Sequence, residues 1–524
     1  MDWLFEAAAE TYLPLLDVFF RLRDEDLPPR VNVSFTPVLM EQLKSPSFVS
    51  GFKAYLRMKV EIAQQDRAYF ERIGSQALGS LTRYWEDWYH KLQDFFTRIC
   101  GEDIIAAYRK LQDEGQIEIL TSAATHAYFP LLLRDDSIRW QVRQGRHVYR
   151  KYFDREPTGF WLPECAYRPG YLWKPPLGDS VPAARAGVDE ILSQEGLGCF
   201  FVDNHLLKGG EAKGVYLERF KALKLLWDKF QKEYRPGQES AQNPYLPYLA
   251  HPSRLPFFVR DEKSGTQVWS GKAGYPGDGW YLEFHKKHFP GGMRYWRVTS
   301  SSADLGIKEP YDPAKTKERL KENSDHFVDS LRETLKEQEG GVVVALYDTE
   351  LLGHWWFEGP EWLYLVLKKL HGTEIEPRTV SGCLETEPPH TIVSLPEGSW
   401  GKGGFHWIWL NDDTSWIWQK IYEIEAKSAR LKSLPLDGQK QILKQFIREK
   451  FLLESSDWPF LISTWTARDY AENRAAEHFE RANVLLAWLQ EKRALKPDEE
   501  RHLATWEEED QLFSEVVAPD GNII

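Results

Sequence analysis

The chain predicts an α/β fold built as a barrel-like sheet, and three observations point there. Short apolar runs recur through its middle, each followed by a loop and a helical stretch. Polar and aromatic residues gather just after those runs, where the carboxyl ends of barrel strands would lie. The flanking regions are instead spaced for helices.

Taken in order, Asp2 to Leu22 reads as a helix, and RVNVSFTPVL at 30–39 as a short strand ending at Pro37. FKAYLRMKVEIAQQDRAYF and LGSLTRYWEDWYHKLQDFFTRI, within 48–99, space apolar and aromatic residues at three and four, which predicts two long helices inserted into the barrel. QIEILTS at 116–122, TGFWLPE at 158–164, GCFFVD at 198–203, TQVWS at 266–270 and VVVALYD at 342–348 read as strands, with GVDEILSQEG as an intervening helix. At least six such units fit an α/β barrel better than a sandwich. The stretch 205–250 is poor in strand signal and reads as a partly helical excursion over the barrel mouth. From about Asp412 to Arg501 the pattern is helical again, after a proline-bearing linker, LETEPPHTIVSLPEG. The expected boundaries are a first barrel part at 1–45, a helical insertion at 46–105, the main barrel at 106–385 and a helical C-terminal domain at 386–524.

With 524 residues the chain exceeds one simple core. A net charge of -13 without a long basic block argues against nucleic acid or an anionic membrane as partner and suits a neutral or cationic substrate. Its 4 cysteines form no CxxC pair, which fits a reducing cytoplasm. The opening MDWLFEAAAETYLPLL carries acid where a signal peptide carries base, and no run of 18 apolar residues predicts a membrane span. The 22 tryptophans are the compositional outlier. Many would serve a core. Clusters beside glycine and charge suit the apolar faces and polar edges of sugars.

Two acids sit at predicted strand ends: Glu164 in GFWLPECAYRPG and Asp348 in VVVALYD. A carboxylate closing a buried strand is costly unless paired or used. A buried salt bridge, or an Asp348 cap on the turn beginning TELLG, accounts for them structurally. Paired carboxylates flanking a glycosidic bond account for them chemically, with retention at a separation of about 5–5.5 Å and inversion beyond it. A metal site from Asp348, Glu350, His354 and His126 is the chemical rival, but no HxH or HExxH anchors it. No GxSxG follows a strand and no GxGxxG occurs, so neither a serine hydrolase nor a dinucleotide cofactor has positive signal. No cofactor or metal is expected. Candidate substrate contacts around the mouth are His126, Trp269, Arg254, His354, Trp355, Trp356, Trp400, Trp407, Trp409 and Asp457. For the tryptophans, core packing and sugar stacking both remain open.

WLFEAAAETYLPLL, QIEILTSAATHAYFPLL, TGFWLPECAYRPG, QVWSGKAGYPGDGWYLEFHKK, ALYDTELLGHWWFEG, LPEGSWGKGGFHWIWLND and SSDWPFLIST, spread from near residue 3 to about 465, resemble glycoside hydrolase family 57, and within it the 1,4-α-glucan branching subgroup. The resemblance implies an incomplete or variant (β/α)7 barrel, distorted and TIM-like, with a helical insertion and an all-helical C-terminal domain. It implies Glu164 as nucleophile and Asp348 as acid/base of a retaining reaction on α-1,4-glucan, and a mobile loop with a tyrosine near its tip, for which Tyr216 is the candidate. Family members open with a strand bearing HxHxP or HxP. Here Met1-Asp2-Trp3 leads straight into the helix that follows it, so the barrel is expected to lack that strand.

Overall fold

The computed structural model describes residues 2–524 apart from 180, 215–216, 218–219, 301, 339–340, 430, 432–437 and 520. They fall into two compact units, one made of 1–33, 42–119 and 261–386, the other of 34–41, 120–260 and 387–524.

The first unit is helical. Its opening helix, Asp2–Ala7 and Leu13–Asp24, is interrupted by a wide π turn over Ala8–Tyr12. Such turns displace side chains from the regular helical ladder. Here they turn Glu10, Thr11 and Tyr12 toward the segment 350–354. The expected long pair is present as Pro46–Arg72 and Gln76–Asp94. Ser45 caps the first of these by accepting from Phe48 N at 3.1 Å, with Pro46 in the first turn, where a missing N–H costs nothing.

Most of the sheet belongs to the second unit, the first supplying the opening residues of β1 and β2. The strands are β1 (Val31–Ser34), β2 (Ile117–Ser122), β3 (Gly159–Trp161), β4 (Tyr171–Trp173), β5 (Ala183–Arg185), β6 (Cys199–Val202), β7 (Tyr248–Ala250), β8 (Pro256–Val259) and β9 (Ile392–Val393). The main sheet runs β1-β2-β3-β6-β8-β7-β9, and β4 and β5 form a separate antiparallel ribbon. β2, β3, β6 and β8 are mutually parallel, with Thr121 opposite Phe160, Phe160 opposite Phe200 and Phe200 opposite Phe257. β7 runs antiparallel to β8 and parallel to β9. β6 (CFFV) is buried throughout and β8 (PFFV) is buried after Pro256, which explains their uninterrupted apolar character, while β2 is buried except at Glu118. The helix Asp135–Phe153 packs on β2 so closely that a Cβ at Gly145 would lie 2.2 Å from Ser122 O. The helices Ser415–Ser428, Lys440–Leu453, Asp457–Thr464, Arg468–Glu491 and Pro497–Glu509 form the C-terminal region.

Several expected strands take another form. TQVWS closes a helix, Glu262–Trp269, because Asp261 accepts from Ser264 N at 2.6 Å and caps it. RVNVSFTPVL is strand only over Val31–Ser34, since Pro37 opens the helix Pro37–Lys44 instead of merely ending a strand. VVVALYD forms no strand; Val344 O accepts from Asp261 N at 2.9 Å, and the rest is irregular. Conversely β7, β8 and β9 arise in stretches where no strand was expected. They are two to four residues long and bounded by prolines or polar loops, too short for a periodic signal.

The four cysteines are all buried, and no disulfide joins them. Among the described residues, no helix is long and apolar enough to cross a membrane.

Candidate active site

The carboxyl ends of the parallel strands carry a coherent set of polar groups. β2 is followed by the turn holding His126, β3 by Glu164, β6 by Asp203 and β8 by Arg260. Glu164 is the most constrained of them. Its backbone is left-handed (φ 59°, ψ 23°), as is that of Cys165 (φ 50°), an arrangement that costs a non-glycine residue about 1–3 kcal/mol. The strained turn aims a nearly buried carboxylate. Oε2 accepts the Trp400 indole N–H at 2.8 Å, and Oε1 lies 3.9 Å from His126 Nδ1. The Glu164 carbonyl also accepts from Trp400 N at 3.2 Å, so one residue of the glycine-rich loop holds Glu164 at both main chain and side chain. His126, itself left-handed (φ 58°), is oriented by Ser456 Oγ at 2.9 Å from Nδ1. Burial pushes the neighbouring Cys165 thiol well above its ordinary range, which leaves it an inert packing group beneath Glu164.

A second layer lies behind Trp400. Its ring meets Trp161 at 5.1 Å, and the Arg260 guanidinium sits 5.9 Å from its centre. Arg260 Nε donates to Asp203 Oδ1 at 2.7 Å, and Asp203 Oδ2 lies 2.9 Å from His205 Nδ1. Burial pushes Asp203 up, but the Arg260 charge and the two hydrogen bonds prevail and hold its carboxyl well below the usual carboxylate range.

The loop that leads to 216 is tied to the same glycine-rich segment. Gly403 N donates to Ala212 O at 2.9 Å, and Lys402 pairs with Glu211. Tyr216 itself lies outside the described residues.

Asp348 and the residues after it belong to the other unit. Asp348 is half-buried and precedes the short turn Thr349–Leu351, yet its side chain makes no capping bond there. Glu350 accepts from the Tyr12 hydroxyl. His354 is buried, with Nδ1 2.9 Å from Glu10 Oε2 and its backbone N–H on Thr11 Oγ1 at 3.0 Å. Glu10 in turn pairs with Arg294. Burial raises Glu10, and Arg294 and His354 outweigh it, so its pKa ends below the ordinary value. Gly353 (φ 127°) permits this approach, since a Cβ there would lie 1.9 Å from Glu10 O. Trp355 packs on Phe284 at 4.6 Å and meets the half-exposed Trp3 at 6.4 Å.

Several expected contacts are placed differently. Arg254 is an exposed left-handed residue (φ 60°) in the turn between β7 and β8, at the amino end of β8 and so at the opposite end of the sheet from Glu164. The strand-end arginine is Arg260, hidden from sequence reasoning because it closes an apolar run that carried no strand assignment. Trp269 is buried at the end of a helix, not at a strand end. Trp356 is core, against Tyr281 at 5.5 Å and Trp362 at 5.3 Å. Trp409 is fully buried and stacked on Tyr128 at 4.5 Å. Trp407 is buried against Trp227 and Phe230 and donates to Lys402 O. Asp457 is exposed at the start of its helix, where Ser455 Oγ donates to it at 3.3 Å.

Among the described residues, the group with metal-ligand spacing is Glu449, His478 and Asp510, in the C-terminal helices, not Asp348, Glu350 and His354. Arg474 and Arg481 already engage both Asp510 oxygens, at 2.9 and 2.7 Å, so the cluster is balanced as a buried charge network.

Fold and site thus define an α/β protein whose polar residues converge on a strained glutamate at the carboxyl end of a parallel sheet. The family model described as glycosyl hydrolase family 57 matches residues 1–396, and one described as 1,4-alpha-glucan branching enzyme, C-terminal, matches 419–519. The chain belongs to glycosyl hydrolase family 57. It is similar to the 1,4-alpha-glucan branching enzyme TK1436 of Thermococcus kodakarensis, with 40% identity over 491 residues that cover 91% of this chain and 68% of that protein. The crystal structure of TK1436, in complex with glucose and additives, matches with TM-score 0.87 at 37% identity, covering 98% of this chain and 90% of that one. The GH57-type branching enzyme of Pyrococcus horikoshii matches with TM-score 0.86 at 38% identity, covering 98% and 91%. The alpha-amylase AmyC of Thermotoga maritima matches with TM-score 0.78 at 28% identity, covering 98% and 92%. Like the two branching enzymes, this chain has a mixed α/β domain with a central sheet resembling a distorted barrel, and a separate helical C-terminal region.

Proposed function

We propose that this protein is a retaining 1,4-α-glucan branching enzyme in which Glu164 is the nucleophile and Asp348 the acid/base. The observation that carries the reading is the Glu164 carboxylate, held on a left-handed turn by the Trp400 N–H with His126 beside it. That is the geometry of a preorganised nucleophile rather than of a stabilising ion pair. The match of residues 419–519 to a branching-enzyme C-terminal region supports branching over other outcomes of the same intermediate.

Glu164 attacks the anomeric carbon of an α-1,4-glucan, and the C1–O4 bond breaks as Asp348 protonates the departing O4. The shortened chain leaves, and a covalent glucosyl-enzyme remains. Asp348, now a base, deprotonates the O6 hydroxyl of a second chain, which attacks the same carbon and frees Glu164. The new link is α-1,6. Water in place of O6 gives hydrolysis, and O4 gives disproportionation, so the acceptor outcome depends on water exclusion. The loop bearing Tyr216 is the element assigned to that exclusion. Its base is anchored on Gly403. The partner is therefore a linear α-1,4-glucan such as amylose.

Incubation with amylose tests the reading. Branching lowers the iodine stain while creating α-1,6 linkages that isoamylase removes. Hydrolysis without new α-1,6 linkages would support the second reading, an α-amylase, which the 28% identity to AmyC favours. Longer linear chains would point to a 4-α-glucanotransferase. Glucan binding with no turnover at all would leave a glucan-binding homologue and sink the enzyme reading.

A further inference from the structure

The buried Asp203 has no part in the chemistry above, yet it joins two arms that both end on the loop 398–404. In one arm, Arg260 is held at 2.7 Å and lies 5.9 Å from the Trp400 ring centre. In the other, His205 is held at 2.9 Å, and its ring packs on bare backbone. A Cβ at Gly404 (φ +70°) would lie 2.3 Å from His205 Nε2, and one at Gly398 would lie 3.2 Å from it. The loop is pinned to the Glu164 segment as well, since Tyr167 and Gly398 exchange backbone hydrogen bonds of 2.8 and 3.0 Å. A buried ion pair is a poor source of stability compared with an apolar pair of the same volume. Asp203 and Arg260 are 4% exposed each. Their placement at the carboxyl ends of adjacent strands instead supplies directional constraint at the site.

We propose that Asp203 is a positioning residue: through Arg260 and His205 it sets the 398–404 loop and so aims the Trp400 N–H at the Glu164 carboxylate. This rests on the nucleophile role proposed for Glu164. The cation near the indole face also polarises the ring, which makes its N–H a better donor to a carboxylate. Asp203 touches neither substrate nor reacting atoms. Its effect falls on the step in which Glu164 must be aligned for in-line attack, not on glucan affinity.

The full chain carrying D203N, W400F or both is the test, assayed on amylose. D203N is expected to lower kcat about 10- to 100-fold with KM within about twofold, the size of a lost hydrogen bond to a charged group. The D203N/W400F pair is expected to lose no more than the worse single variant. Because D203N takes the carboxylate charge away from a buried arginine, D203L/R260M, which removes both charges, serves as the second variant. It is expected to keep the wild-type melting temperature within a few degrees and to show the same loss in kcat. A kcat near wild type in either variant, a loss confined to KM, or fully multiplicative losses in the pair would overturn the proposal. The indole 1H–15N resonance of Trp400, assigned by its absence in W400F, gives a readout independent of turnover. It should move upfield in D203N, and an unmoved resonance likewise overturns the proposal. A wild type that forms no branches but shows the shifted resonance refutes the branching reading alone.

Discussion

Glu164 and Glu358 are both buried carboxyl groups among tryptophans, one in each unit, and they differ in the two features that matter. Glu358 sits at an ordinary helical position (φ -80°, ψ -5°) before the helix Gly359–Leu370. Its Oε1 accepts from Leu282 N at 2.9 Å and from the Tyr311 hydroxyl at 2.8 Å, and its Oε2 is buried without a partner. Burial pushes it up to about 7. By the usual criterion of a perturbed acid in an aromatic setting, Glu358 is the better candidate site. By geometry it is a stitch holding three segments together. Glu164 shows the opposite combination: a strained backbone, a donor aimed at one oxygen and a histidine near the other. Strain maintained by several independent contacts marks function here better than burial does.

The sharpest way to break this contrast is to neutralise each acid in turn. E164Q should lower turnover of amylose by about 10⁴-fold or more while leaving the melting temperature nearly unchanged. E358Q should leave kcat within about twofold. A reversal of those two results in the same glucan assay would exchange the roles assigned to the units. D348N should cost about 10²–10⁴-fold on amylose. The loss should shrink on a glucoside with an activated leaving group, whose departure needs no proton. An equal loss on both substrates would remove Asp348 from the acid role.

Much of this was legible in the sequence. Glu164 stood out because an acid directly after an apolar strand and a proline has few structural uses, and the strand is where it was expected. Asp348 stood out because it closes the apolar run VVVALYD, although the strand expected there is absent. That run is only half-buried, with Ala345 exposed, so neither the burial nor the ladder of hydrogen bonds that an apolar run promises is realised there. Trp356 and Trp409 look much like Trp400 in sequence, since all three lie in stretches where glycine and charged or polar residues stand within a few positions. Which tryptophan reaches a carboxylate and which fills the core is decided by tertiary contacts that no local pattern encodes. Asp203 closes an expected strand, GCFFVD, but its pairing with Arg260 escaped notice because the two residues, at the ends of β6 and β8, are 57 residues apart along the chain.

Next in size is W400F, which keeps an aromatic ring but deletes the N–H donor together with the pyrrole part of the indole. Loss of a hydrogen bond to an anionic carboxylate costs about 1.5–3 kcal/mol. If the bond aligns the nucleophile, kcat on amylose falls roughly 10- to 100-fold. A wild-type kcat in W400F would show that the strained turn alone positions Glu164.

Glu358 also has a signature in stability. Its carboxyl moves from 4.5 to about 7 on folding, so the folded state binds the proton more tightly. The contribution is fully present below pH 4.5, declines as pH rises through 7 and amounts to a swing on the order of 3 kcal/mol. The wild type should therefore lose more melting temperature than E358Q between pH 5 and pH 8. Parallel curves for the two proteins would mean that Glu358 ionises freely in the fold.

The smallest effect expected is itself informative, because it separates position along the chain from position on the sheet. Arg254 and Arg260 are six residues apart, both next to β8, and either could have been assigned to the substrate from sequence. β8 is parallel to β6, so the carboxyl end that holds Arg260 lies with Asp203, while the turn that holds Arg254 leads into the amino end. A four-residue strand at about 3.3 Å per residue puts roughly 13 Å between its two ends, beyond the reach of a charge screened by water. Arg254 is also exposed, so deleting its side chain leaves no buried partner unsatisfied. R254A should therefore change kcat/KM on amylose by less than about twofold, whereas R260M should reproduce the loss expected of D203N. Equal losses from R254A and R260M would show that the catalytic constellation is not confined to the carboxyl end of the sheet.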